Sequence, residues 1–151
     1  MHTEVDQLFE ALNLLKGEGE FRAFLPCLMT PTELERLEAR WQLIWLSAIG
    51  LSPSEVGRRT RTSLTTISRV RRVVQYGTGI VKALVDRYRK ACSRGEAIGQ
   101  LPQILTLLES EEELRYLMSD LLAPEELTRF STRWHVMMLL AGGLNPSEVR
   151  E

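Results

Sequence analysis

The stretch Leu51–Tyr76, LSPSEVGRRTRTSLTTISRVRRVVQY, decides how the rest of this chain is read. It spells two short helices with a tight break between them. Ser52 can cap the first helix, Pro53 suits its first position, and Glu55 lies three residues after Ser52, the spacing of a capping box. Val56 is its inward residue. Arg61-Thr62-Ser63 interrupts the pattern, and Thr62 or Ser63 can cap the second helix. There Ile67, Val70 and Val74 fall at i, i+3 and i+7, a single buried stripe. Thr65, Thr66, Ser68, Arg69 and Arg72 are left facing outward. A small face of hydroxyls and guanidiniums held on an aliphatic stripe suits a helix-turn-helix entering a DNA groove.

The charge distribution agrees. The whole chain of 151 residues carries a net charge of −1. That average hides a segregation. Ser52–Arg94 holds eleven basic residues against two acidic ones, a balance of +9, and the remainder stands at −10. A polyanion would be attracted to one surface and repelled by the others. On this pattern Arg58, Arg59 and Arg61, with Arg71 or Arg72, are expected at phosphates. Thr65, Thr66, Ser68 and Arg69 are expected near base edges.

Working outward, Val5, Leu8, Phe9, Leu12 and Leu15 predict a first helix that ends near Lys16, and Glu20–Leu28 a second. Thr30-Pro31-Thr32-Glu33 opens a long helix with Leu34, Leu37, Trp41, Ile44, Trp45 and Ala48 on one broad apolar face, stopped by Gly50. The aromatics Phe21, Phe24, Trp41 and Trp45 are expected in the core. Ile80–Ser93 predicts a basic helix, and Arg94–Gly99 a break. No segment alternates as a strand does, so the fold class is all-α.

The second half repeats the first at an offset of 93 residues. Pro31–Val56 aligns without gaps to Pro124–Val149, with fourteen of 26 positions identical, among them Arg40/Arg133, Trp41/Trp134, Gly50/Gly143 and the whole of PSEV. Leu8/Leu101, Leu12/Leu105, Leu15/Leu108 and Leu28/Leu121 also match. Two helices sharing only their apolar spacing would not agree at so many specific residues, which points to duplication. The repeat stops at Glu151, one turn into its copy of the first short helix. This leaves two readings open, a shortened tandem protein or a second repeat made of packing helices alone. The expected domains are 1–79, with the helix-turn-helix at 52–76, a basic helix and linker at 80–98, and an incomplete repeat at 99–151.

These residues resemble the Trp-repressor superfamily, in particular its YerC/YecD-like branch. The resemblance rests on Thr30-Pro31-x-Glu33-Leu34, Arg40, Gly50, Ser54-Glu55-Val56 and Thr65-Thr66-Ile67-Ser68-Arg69-Val70 running to Tyr76-Gly77. It covers residues 1–80 and the packing helices at 101–149. It implies helical subunits that intertwine as a two-headed dimer, and a role in transcriptional repression. It also implies Thr66, Ser68 and Arg69 at the DNA face, and Arg40 with Arg69 as the pair that clamps a carboxylate in tryptophan-sensing members. The glycine and serine of that pocket are Val70 and Val73 here, which argues against tryptophan, and no other cofactor is expected. A salt bridge from Arg40 to Glu33 or Glu38 is the expected alternative to a ligand contact.

The expected partners are double-stranded DNA and the chain itself, as a homodimer or as an intrachain pseudo-dimer in which the second repeat docks on the first. The competing class is an interaction or dimerisation adaptor, antirepressor-like, with weak or no DNA binding. Nothing suggests an enzyme: His2 is terminal, His135 sits beside Trp134 on a packing helix, and no metal or phosphate-loop spacing occurs. Glu109–Glu113 reads as a helix start with a solvated face. Cys27, expected in the core, and Cys92 lack a CxxC context and read as reduced thiols. The apolar runs Trp41–Leu51 and Trp134–Leu144 fall short of the ~20 residues of a membrane span. A cytoplasmic location follows.

Overall fold

The computed structural model describes residues 3–91 and 99–143. Within them the chain forms nine helices and no strand. They are α1 (Glu4–Leu14), α2 (Gly17–Leu28), α3 (Pro31–Ala48), α4 (Pro53–Thr60), α5 (Leu64–Tyr76), α6 (Ile80–Ala91), α7 (Leu101–Leu105), α8 (Glu111–Leu121) and α9 (Pro124–Ala141). The all-α expectation holds. His2, Cys92 and the Asn145–Val149 restart of the motif lie outside the described residues.

Helix starts follow the capping chemistry in the sequence. Thr30 Oγ1 accepts from the Glu33 amide at 3.2 Å, and Glu33 reaches back to the Thr30 amide at 2.9 Å. Pro31 then takes the first position, where its missing N–H costs nothing. At α9 half of that box survives: Glu126 still accepts from the Ala123 amide at 3.0 Å, but alanine has no oxygen to return the bond. Two starts differ from expectation. α2 begins at Gly17 instead of Glu20, because Glu20 turns back to the Lys16 amide at 2.9 Å and draws the preceding turn into the helix. At α4 Ser52 caps the Glu55 amide at 3.2 Å, but Glu55 does not complete the box, since its carboxylate is taken by arginines further along the helix.

One apolar core draws on both halves of the chain. Leu8, Phe9 and Leu12 of α1, Leu25 and Leu28 of α2, and Leu37, Trp41 and Ile44 of α3 pack with Leu101, Ile104, Leu117, Leu121 and Phe130. α1 lies along α9 and α8, α2 against α7, and α6 between α3 and α8. The tryptophans of α3 are core residues, as expected: Trp45 meets Tyr88 edge-on at 5.0 Å, and Trp41 donates its indole N–H to the Gly99 carbonyl at 2.6 Å. Cys27 does not follow expectation. It is exposed, because the buried stripe of α2 runs through Phe21, Leu25 and Leu28, and position 27 falls on the outer side.

A smaller cluster stands apart. Leu43 and Leu46, on a different side of α3, meet Val56 of α4 and Ile67 of α5. This second cluster, together with Val74 of α5 in the main core, seats the helix pair 53–76 on the body and positions the site.

Candidate nucleic-acid interface

The turn between α4 and α5 is built by sterics at three residues. Arg61 takes a left-handed conformation at φ 56°, ψ 38°, the one positive-φ residue other than glycine among the described residues. Ser63 then caps α5, accepting from the Thr66 amide at 3.4 Å, so of the two caps the sequence allows the chain uses Ser63. Gly57 permits the close crossing. A Cβ there would lie 3.2 Å from both Ile67 Cδ1 and the Thr62 carbonyl oxygen. Val56 and Ile67 are wholly buried where the helices meet. This is a helix-turn-helix in geometry, with α5 as the outer helix.

Around this hinge the structure places the expected residues as follows. Arg58, Arg59, Arg61, Thr65, Thr66, Ser68, Arg69 and Arg72 are all exposed, while Arg71 is half-buried. Thr65, Ser68, Arg69 and Arg72 fall at i, i+3, i+4 and i+7, one face of α5. Arg58 and Arg59 are held in place by Glu55, at 2.7 and 2.8 Å. The two guanidiniums, Arg58 first, keep the Glu55 carboxyl below its ordinary range. Such exposed pairs contribute little free energy, so exchanging Glu55 for a phosphate costs little. Among the described residues no ion pair involves Arg61, Arg69, Arg71 or Arg72, and their charge is available to a ligand. Between Pro53 and Tyr76 six basic residues stand against one acidic, a balance of +5.

Not every cation of the basic segment belongs to this surface. Arg87 binds Glu113 through both guanidinium nitrogens at 2.8 and 2.6 Å, and also the Leu107 carbonyl at 3.1 Å. It therefore fastens α6 to α8, and Glu113 is a structural partner, not the solvated side chain expected of the acidic run.

Arg40 and Arg69 are not joined as a pair by any described contact. Arg40 of α3 binds Glu126 of α9 at 2.6 Å and the Leu121 carbonyl at 3.4 Å. The expected partner, Glu33 or Glu38, is thus corrected. Glu33 is taken by Arg133 and Arg129 of α9, while on α3 itself Glu33 and Glu38 lie seven and two residues from Arg40, outside the three- and four-residue spacing at which helical side chains meet. Val70 is half-buried and packs against both apolar clusters, so its side chain belongs to the joint between head and body.

Two residues at the surface were not singled out from the sequence. Leu64, the first residue of α5, is 61% exposed beside Thr65, and Tyr76 at the other end is 82% exposed. Leu64 reads as one more apolar residue of the helical pattern. Only the orientation of α5 shows that it projects at the leading end. Elsewhere His135 is half-buried and bonded to Gln7 at 3.0 Å. Among the described residues no group of three or more His, Cys, Asp or Glu could hold a metal ion, and no helix is long and apolar enough to cross a membrane.

Comparison with known proteins agrees with this geometry. The chain is similar to the uncharacterized protein YerC of Bacillus subtilis (strain 168), at 31% identity over 87 residues that span 58% of this chain and 84% of that protein. No solved structure matches the chain significantly. The family model for the Trp repressor protein matches residues 3–89, which include α1–α5 and most of α6. This protein belongs to the Trp repressor family.

Proposed function

We propose that the protein is a DNA-binding transcriptional regulator of the repressor type, acting in the cytoplasm without catalysis, and that α5 reads double-stranded DNA through the major groove. The observation that carries this reading is the α5 face itself. Thr65, Ser68, Arg69 and Arg72 are exposed on one side of a helix whose other side is locked by Ile67 and Val74. Hydroxyls and guanidiniums match the donors and acceptors of base edges and phosphates. Arg58, Arg59 and Arg61 would lie at the phosphate backbone, with Arg71 at the margin. Threonine, serine and arginine held on a rigid helix give sequence preference, whereas the +5 balance alone would give only salt-dependent attraction.

The adaptor reading has one observation in its favour: Met138 and Leu140, on different sides of α9, are apolar yet 45% and 43% exposed, open to a protein partner. A gel-shift titration on random duplex at low salt separates the two. DNA regulation predicts a shift that weakens steeply with salt and is lost in the double variant Arg69→Ala, Arg72→Ala. No shift, or a shift indifferent to that double variant, leaves the adaptor.

A further inference from the structure

α3 and α9 are each 18 residues long, and both their ends are offset by 93 positions. The arginine contacts that join each to the other repeat obey the same offset. Arg40 binds Glu126 at 2.6 Å and the Leu121 carbonyl at 3.4 Å. Shifting each residue by 93 gives Arg133, Glu33 and Leu28. Arg133 binds Glu33 at 2.5 Å and the Leu28 carbonyl at 3.3 Å. Glu33 and Glu126 also serve matching roles at the starts of their own helices, on the Thr30 and Ala123 amides. Residue i touching j while the equivalent of j touches the equivalent of i is the signature of an isologous, two-fold interface, which ordinarily joins two identical subunits. Here both partners are on one chain.

The symmetry breaks in specific places. α1 has eleven residues and α7 five. The Trp41 indole has the Gly99 carbonyl, while the buried Trp134 indole N–H has no partner among the described residues. Trp45 is 2% exposed against Tyr88 of α6, but Met138, its equivalent on α9, is 45% exposed.

We propose that α7–α9 serve as this chain's own partner subunit. They fill in cis the surface of α1–α3 that a second copy would need, so the body that carries α4 and α5 is closed without a second chain.

Sedimentation equilibrium of the unaltered chain tests the filled interface, with 17.3 kDa as the expected mass. A stable dimer overturns it. Charge-reversed chains locate the ion pair. Arg40→Glu and Glu126→Arg should each lower the melting temperature, and the double variant in one chain should recover it. An equimolar mixture of the two single variants should recover nothing. Recovery on mixing would mean that the pair forms between chains and would sink the proposal. If the single variants fail to fold, the mass of the unaltered chain still decides.

Discussion

Ile67→Ala should detach the reading head without dissolving the body. Ile67 is fully buried in a cluster of four, with Leu43, Leu46 and Val56. The substitution deletes three carbons, which at about 0.8 kcal/mol each amounts to roughly 2.4 kcal/mol of lost burial. The cavity left behind adds to this. Val56 is wholly buried beside it, and α4 already approaches as closely as Gly57 allows, so collapse onto the space is limited. A total of about 3–4 kcal/mol is expected, inside the usual range for such truncations. Ile67 and Val56 belong to this cluster and not to the main core, where α5 has only its C-terminal Val74 and the shared Val70, so the loss should appear chiefly as opening of α4 and the N-terminal part of α5. Native-state hydrogen exchange reads it directly. The free energy of opening for the amides of Val56 and of position 67 should fall by that amount, while amides of α1 and α8 keep their protection. DNA affinity should fall with the fraction of closed head. If α1 and α8 lose protection in step with α5, the head is not a separately seated unit and the reasoning fails.

Leu64, exposed at the leading end of α5, suits contact with a thymine methyl group. Replacing thymine by deoxyuridine across the selected site should then weaken binding at one position, and Leu64→Ala should erase that difference; equal sensitivity in both proteins would count against the contact. Arg133, and secondly the Thr30 amide, hold the Glu33 carboxyl at about 2, below its ordinary 4.5. A depressed folded-state value makes the unfolded chain bind more protons in between, so this stability is present above 4.5 and is lost as pH falls towards 2. Thermal unfolding against pH should show that loss, and Glu33→Gln should shallow the slope within the same window; an unchanged slope would refute the assignment. Gly77→Ala would place a Cβ 2.4 Å from the Val73 carbonyl and 2.9 Å from Asp120 Oδ1, next to the Thr78–Asp120 bond at 2.8 Å. Overpacking of this kind costs about 1–3 kcal/mol, and a melting temperature equal to that of the unaltered protein would contradict it.

Much of the fold and the candidate site was legible from residue order because it depends on local chemistry. Caps at Thr30, Ser52 and Ser63, prolines at first helical positions and the stripe of Ile67 and Val74 set the helices and the outward face of α5 within a few residues of each other. Glu33, Glu126, Arg40 and Arg133 were all visible in the repeat alignment as well, since each is shared between the two copies. What the order of residues could not fix was which glutamate each arginine meets. On α3 itself neither Glu33, seven residues before Arg40, nor Glu38, two before it, has the three- or four-residue spacing of a helical pair, so the partner had to come from another element. Only the packing of α9 against the first repeat takes Glu33 for Arg133 and brings Glu126 to Arg40.

The same division holds at the surface. Cys27 and Leu64 both read as apolar positions, and periodicity cannot say which apolar residues a small body leaves uncovered. Local sequence determined the helices, their ends and the reading face, because capping and periodicity act over a turn or two. The tertiary structure decided the partners of Arg40 and Arg87, the exposure of Leu64 and the seating of the head on its own cluster. Those depend on which surfaces meet across the chain, 81 and 86 residues apart for the partners of Arg40, and on how much volume is left to fill when they do.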